Sequence, residues 1–79
     1  MDAKQKRRKR IARNFIRSYG KTRFKNLLES LGNGESGQVI ANDFQVSRER
    51  VRQWKNIFGQ LVSYYRVYPD IDPNRSTVE

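Results

Sequence analysis

Apolar residues along this chain fall into stretches that repeat with the spacing of a helix. Ala12, Phe15, Ile16 and Tyr19 stand at i, i+3, i+4 and i+7, one stripe of a short amphipathic helix, with Arg10, Arg13, Asn14 and Arg17 turned away. Gly20 is a fitting stop, and Thr22 can cap a second helix in which Phe24, Leu27, Leu28 and Leu31 repeat the spacing before Gly32. The turn-rich stretch GNGESG, residues 32–37, leads to Ser36, a cap for a short helix from about Gln38 to Phe44 with Ile40, Ala41 and Phe44 inward. A turn at Gln45 and Val46 follows. Ser47 then caps a helix whose stripe of Val51, Trp54, Phe58, Leu61, Val62 and Tyr65 keeps its period across Gly59. Either the long helix tolerates that glycine, or it breaks there and a further element packs back.

These stripes predict an all-α fold, a small helix-turn-helix bundle of four or five helices with a basic N-terminal arm. Residues 1–9 have no apolar side chain after Ala3 and read as a flexible arm, residues 10–68 as the helix-turn-helix domain, and residues 69–79 as a tail. Pro69 and Pro73, with Asp70, Asp72 and Asn74, end regular structure. No stretch predicts a strand. With 79 residues, one modest core is the ceiling for a single domain.

Charge adds a partner to this picture. Seventeen Lys and Arg against eight Asp and Glu leave a formal charge of +9, and it is uneven. Residues 1–25 carry eleven basic side chains against Asp2, while residues 26–69 hold five against four. A run such as KQKRRKR can be merely a solvated segment. Beside a groove-reading helix it becomes an accessory contact to phosphates, through Lys6, Arg7, Arg8, Lys9 and Arg10. Cysteine and histidine are absent, which removes disulfides, thiolate or imidazole metal sites and the usual hydrolytic nucleophile and base. Glu29, Glu35, Asp43 and Glu49 show no spacing of paired acid and base, so no enzyme, metal or cofactor is expected. No apolar run approaches the roughly 20 residues needed to span a bilayer, and the amino end lacks a signal-peptide core, so the expectation is a cytoplasmic, nucleoid-associated protein without a membrane partner.

The stretch FQVSRERVRQW, Phe44 to Trp54, carries the function. A helix-turn-helix needs a small residue where its helices cross, here Ala41, and apolar groups that fix the crossing, here Ile40, Phe44, Val46, Val51 and Trp54. Arg48, Glu49, Arg52, Gln53 and Asn56 are then left on the opposite side, free to enter a major groove. Their chemistry suits base edges: Arg donates twice to guanine, Gln bonds adenine, and Glu accepts from cytosine N4, each good pair discriminating by about 1–3 kcal/mol. Ser47, Arg50 and Lys55 are candidates for phosphate contacts that set register. The plainer alternative is a solvated face with local ion pairs of about 0.2–0.5 kcal/mol each.

FQVSRERVRQ resembles the helix-turn-helix of region four in bacterial primary sigma factors, over residues 37–56 only. That resemblance implies Arg48, Glu49 and Gln53 at base-reading positions, with Arg50 and Arg52 on phosphates or neighbouring protein, including a possible RNA polymerase contact. Nothing else in the chain resembles the polymerase-binding or promoter-melting regions of a sigma factor.

Three segments leave alternatives open. Trp54 and Phe58 share the stripe with Val51 and belong to the core rather than to a base-stacking platform. Tyr64, Tyr65 and Tyr68 could close the core or pair with a second copy, placing two reading helices about 34 Å apart on a two-fold site. KQKRRKRIARNFIR could be a DNA arm, an arginine-rich RNA-binding helix or an amphipathic membrane helix, of which the first fits the groove-reading helix. The sequence thus predicts specific binding of double-stranded DNA by a bacterial or phage transcriptional regulator, possible as a homodimer. The alternative is a DNA-targeting module of a transposase, terminase or replication machine, or an arginine-rich RNA-binding protein.

Overall fold

Five aromatic rings gather around Phe15. Those of Tyr19, Phe24, Phe44, Trp54 and Phe58 lie with centroids 4.7, 5.5, 5.6, 5.0 and 6.2 Å from its own, mostly tilted or edge-on, as aromatic quadrupoles prefer. They come from four helices, so one cluster holds the domain together. In a computed structural model of the chain, which describes residues 3–73, these helices are α1 (Ala3–Tyr19), α2 (Lys21–Gly32), α3 (Gly37–Phe44) and α4 (Arg48–Phe58). A two-stranded antiparallel hairpin follows, β1 (Gly59–Leu61) and β2 (Tyr65–Val67), then a single 3-10 turn at Pro69–Ile71.

Local chemistry explains most boundaries. Ser36 accepts a hydrogen bond from the Val39 amide at 3.2 Å and starts α3, and Ser47 accepts from the Arg50 amide at 3.1 Å and starts α4. Each satisfies one of the free amides of a helix start. Between them Gln45 takes a left-handed conformation, φ 58°, which lets the Val46 amide return to the Ala41 carbonyl at 3.0 Å and turns the chain sharply. Ala41 is 1 % exposed, consistent with a close crossing of α3 and α4. Val39, by contrast, points outward.

The second helix starts without the expected cap. Gly20, at φ 95°, is its N-cap and no side chain bonds the free amides, while Thr22 sits exposed within the first turn. The left-handed glycine lets α1 and α2 join with one intervening residue: the Gly20 amide bonds the Ile16 carbonyl and its own carbonyl accepts from Phe24.

Three further expectations are corrected. The basic arm is helical, since α1 begins at Ala3 rather than near residue 10. The chain breaks at Gly59, the second of the two outcomes left open there, but what packs back is a hairpin, so a strand pair occurs where none was predicted. Gly59 adopts an extended backbone, and the Tyr68 amide bonds the Phe58 carbonyl at 2.8 Å to begin the ladder. Leu61 and Val62 therefore leave the core stripe and are exposed, while Tyr65 turns inward. The tail expected from residue 69 is partly structured: Ile71 is 1 % exposed and part of the core. The remainder of that tail, residues 74–79, lies outside the described residues.

Candidate nucleic-acid interface

With about 100° between successive residues, a helix that buries Val51, Trp54 and Phe58 must carry Glu49, Arg52, Gln53 and Asn56 on its far side. All four are exposed, as are Arg48 and Arg50 on the flanks, while Lys55 is half-buried. The five side chains predicted to meet bases thus share one face of α4. Ser47 sits at its N-terminus with the hydroxyl engaged as a cap, and that hydroxyl hydrogen remains able to donate.

Glu49 and Arg52 are tied to one another. The guanidinium donates Nε and Nη2 to the two carboxylate oxygens at 3.1 and 3.0 Å. That fork holds the Glu49 carboxyl below its ordinary value and raises Arg52 above its own, through the hydrogen bonds first and charge second. Both groups are solvent-exposed, so the pair is a weak and replaceable contact.

The two flanks of α4 differ. On one, Arg48, Glu49, Arg52 and Lys55 border a cleft of about 350 Å³ against Glu35 and Gly37. On the other, Arg50 and Gln53 border a groove of about 380 Å³ whose opposite bank is α1, with Arg7, Asn14 and Ser18. Farther along the same side, Asn56 shares a smaller cleft with Lys4, Arg7 and Arg8. The basic end of α1 therefore lies beside the C-terminal half of α4.

The cations of α1 divide accordingly. Lys4 and Arg7 border the α4 side, whereas Lys6 and Arg10, with Arg13 and Arg17, form an exposed stripe opposite buried Ala12 and Phe15. Lys9 is half-buried on the other edge of that stripe, away from Lys4 and Arg7. Arg8 is occupied. Its Nη1 donates to Asp70 Oδ1 at 2.8 Å, and its guanidinium carbon lies 3.8 Å from the Tyr68 ring centroid. It fastens α1 to the 3-10 turn instead of standing free for a phosphate. Neither Lys4 nor Asn14 is among the contact residues expected from the sequence, although Lys4 precedes Arg7 by one helical turn and Asn14 follows it by two.

Among the described residues no group of carboxylates could hold a metal ion, and no helix is long and apolar enough to cross a membrane. Comparison with protein families, curated proteins and solved structures finds no match to this chain.

Proposed function

We propose that this chain binds double-stranded DNA with sequence preference, as a bacterial or phage transcriptional regulator. The observation that carries the reading is the exposed face of α4. Five polar side chains able to address base edges stand together on a helix whose opposite side is locked into the core across a sharp turn. Solubility alone needs no such arrangement of one acid, two arginines and two amides.

In this reading α4 enters the major groove, with Arg48, Glu49, Gln53 and Asn56 over base edges. Arg52 is released from Glu49 when either finds a base or a phosphate. Arg50 and Ser47 hold the strand at the start of α4, and Lys4 and Arg7 hold backbone beyond Asn56. Occupancy of a site blocks or recruits polymerase, within the cytoplasm and at the nucleoid. A second reading draws on the uninterrupted cationic stripe of α1: a phosphate binder, RNA included, without base preference.

Selection from a random duplex library at about 150 mM salt, followed by sequencing, separates the two. An enriched motif is the result expected. Salt-sensitive retention without enrichment would leave only the second reading, and no retention at all would remove both.

A further inference from the structure

The hairpin tip is bare of charge and rich in exposed apolar groups. Leu61, Val62 and Tyr64 are 68 %, 66 % and 65 % exposed, and all three fall within four consecutive positions. Residues 56–65 form the longest stretch of this sequence without a charged side chain, ten residues in a chain of which 32 % are charged. The next longest, residues 36–42, has seven. An apolar patch clustered in this way marks a contact surface, whereas single exposed apolar residues do not.

The backbone adds an open edge. Gly59 pairs with Val67, Gln60 with Arg66 and Leu61 with Tyr65. The bonds from Tyr68 to Phe58 and from Val62 to Tyr64 fix the alternation of the ladder. By that alternation the amide and carbonyl of Leu61 point away from β2, toward the outer side of β1. Such an edge accepts a further strand.

We infer that the hairpin tip is a self-association surface, and that its occupant is the tip of a second copy of this chain. The open β1 edge selects that occupant, since it is its own complement, and charge permits it. Two chains of +9 repel each other, and the charge-free tip is where two copies approach with the least repulsion. An antiparallel pair of β1 edges is self-complementary about a two-fold axis and sets Leu61 of one copy beside Leu61 of the other, with Val62 next along the seam. The patch is small beside the roughly 800 Å² per partner of a standard interface, so the dimer is weak. Its strength rises with salt, because screening removes repulsion between the basic bodies and leaves the apolar contact intact.

The spacing of a bound site follows, and this part alone rests on the DNA reading. From the middle of α4 to its end is about 8 Å, along the hairpin about 10 Å more, and across the paired edges about 5 Å, so two α4 midpoints stand at most about 41 Å apart, which leaves room for one turn. One turn of duplex is about 34 Å.

Sedimentation equilibrium of the full chain over about 1–500 µM, at two salt concentrations, tests the association. A monomer–dimer equilibrium that tightens with salt is expected, weakened at least tenfold by Leu61→Lys and by Val62→Lys, each with unchanged circular dichroism and melting temperature. A mass that stays monomeric throughout, or a dimer indifferent to both substitutions, overturns the proposal. Library selection tests the spacing: wild type should enrich a two-fold motif and Leu61→Lys a single half-site. A single half-site from a dimeric wild type overturns the spacing alone, and the DNA reading stands or falls separately on whether any motif is enriched.

Discussion

Arg8 and Asp70 meet at 2.8 Å across 62 residues of chain, with the Tyr68 ring stacked on the guanidinium. Both side chains are mostly buried, at 14 % and 17 % exposure, and the second carboxylate oxygen of Asp70 is buried with no hydrogen-bond partner among the described residues. Removing either member leaves the other charge poorly solvated. Asp70→Asn and Arg8→Ala should each cost about 2 kcal/mol, which in a domain of this size lowers the melting temperature by about 10 °C. Hydrogen exchange would locate the effect, with amides from Lys6 to Arg13 losing more protection than those of α3.

Base and phosphate contacts separate by substitution. Gln53→Ala is expected to relax preference at a single base position while leaving the others intact. Arg50→Ala is expected to weaken all sequences alike and to lower the slope of log affinity against log salt by about 0.9. Uniform weakening by Gln53→Ala, seen in the same selection, would take that residue out of the base-reading set.

Position along α1 should matter as much as charge. Neutralising Lys4 and Arg7 together, as Lys4→Gln with Arg7→Gln, should lower the salt slope by about 2, because these two border the same side of α4 as Asn56. Lys6→Gln with Arg10→Gln removes equal charge from the opposite stripe and should lower it less. Equal slopes for the two double variants would mean that α1 acts only through its total charge.

Gly59 is required for lack of room. Its backbone is extended, which any residue adopts, but an added Cβ would run into the Arg66 carbonyl and lie 2.7 Å from Tyr65 Cζ. Gly59→Ala should therefore destabilise the fold by about 1–3 kcal/mol. The urea midpoint measures it.

Tyr65 gives the domain an alkaline limit. Its hydroxyl donates to the Lys55 carbonyl at 2.6 Å, and burial, with a smaller contribution from Tyr68, pushes its pKa well above the ordinary tyrosine value. The neutral form is the folded form, so this contribution is full below about pH 10, the unfolded value, and is lost as pH rises above it. Tyr65→Phe should lose about 1 kcal/mol at pH 7, and the gap to wild type should narrow as urea titrations move toward pH 11.

Most of the domain was legible because its helices declare themselves locally. The stripes of α2, α3 and the first turns of α4, and the serines at 36 and 47, depend on neighbours within a few residues. The start of α1 does not. Residues 3–10 offer no apolar period, and what holds that end is Asp70, far outside any local window. The hairpin was only half legible: Gly59 left a break open, but Leu61, Val62 and Tyr65 continue the helical spacing by coincidence, and the pairing of residues 59–61 with 65–67 has no local signal. Within the candidate site, the outer face of α4 followed from the period of its buried side. The withdrawal of Arg8 into an ion pair, and the alignment of Lys4 with Asn56, are products of tertiary packing and left no trace in sequence order.

The fastening of Arg8 to Asp70 also sets an order of events during synthesis. Closing a loop of that length carries more entropy than any neighbouring contact, and its acidic half leaves the ribosome tens of residues after its basic half. The caps and turn that build α3 and α4 all precede Asp70 in the chain, so they are synthesised while the leading turns of α1 are still an unanchored polycation. Translation arrested just before Asp70 would release a chain lacking both this anchor and Ile71 of the core.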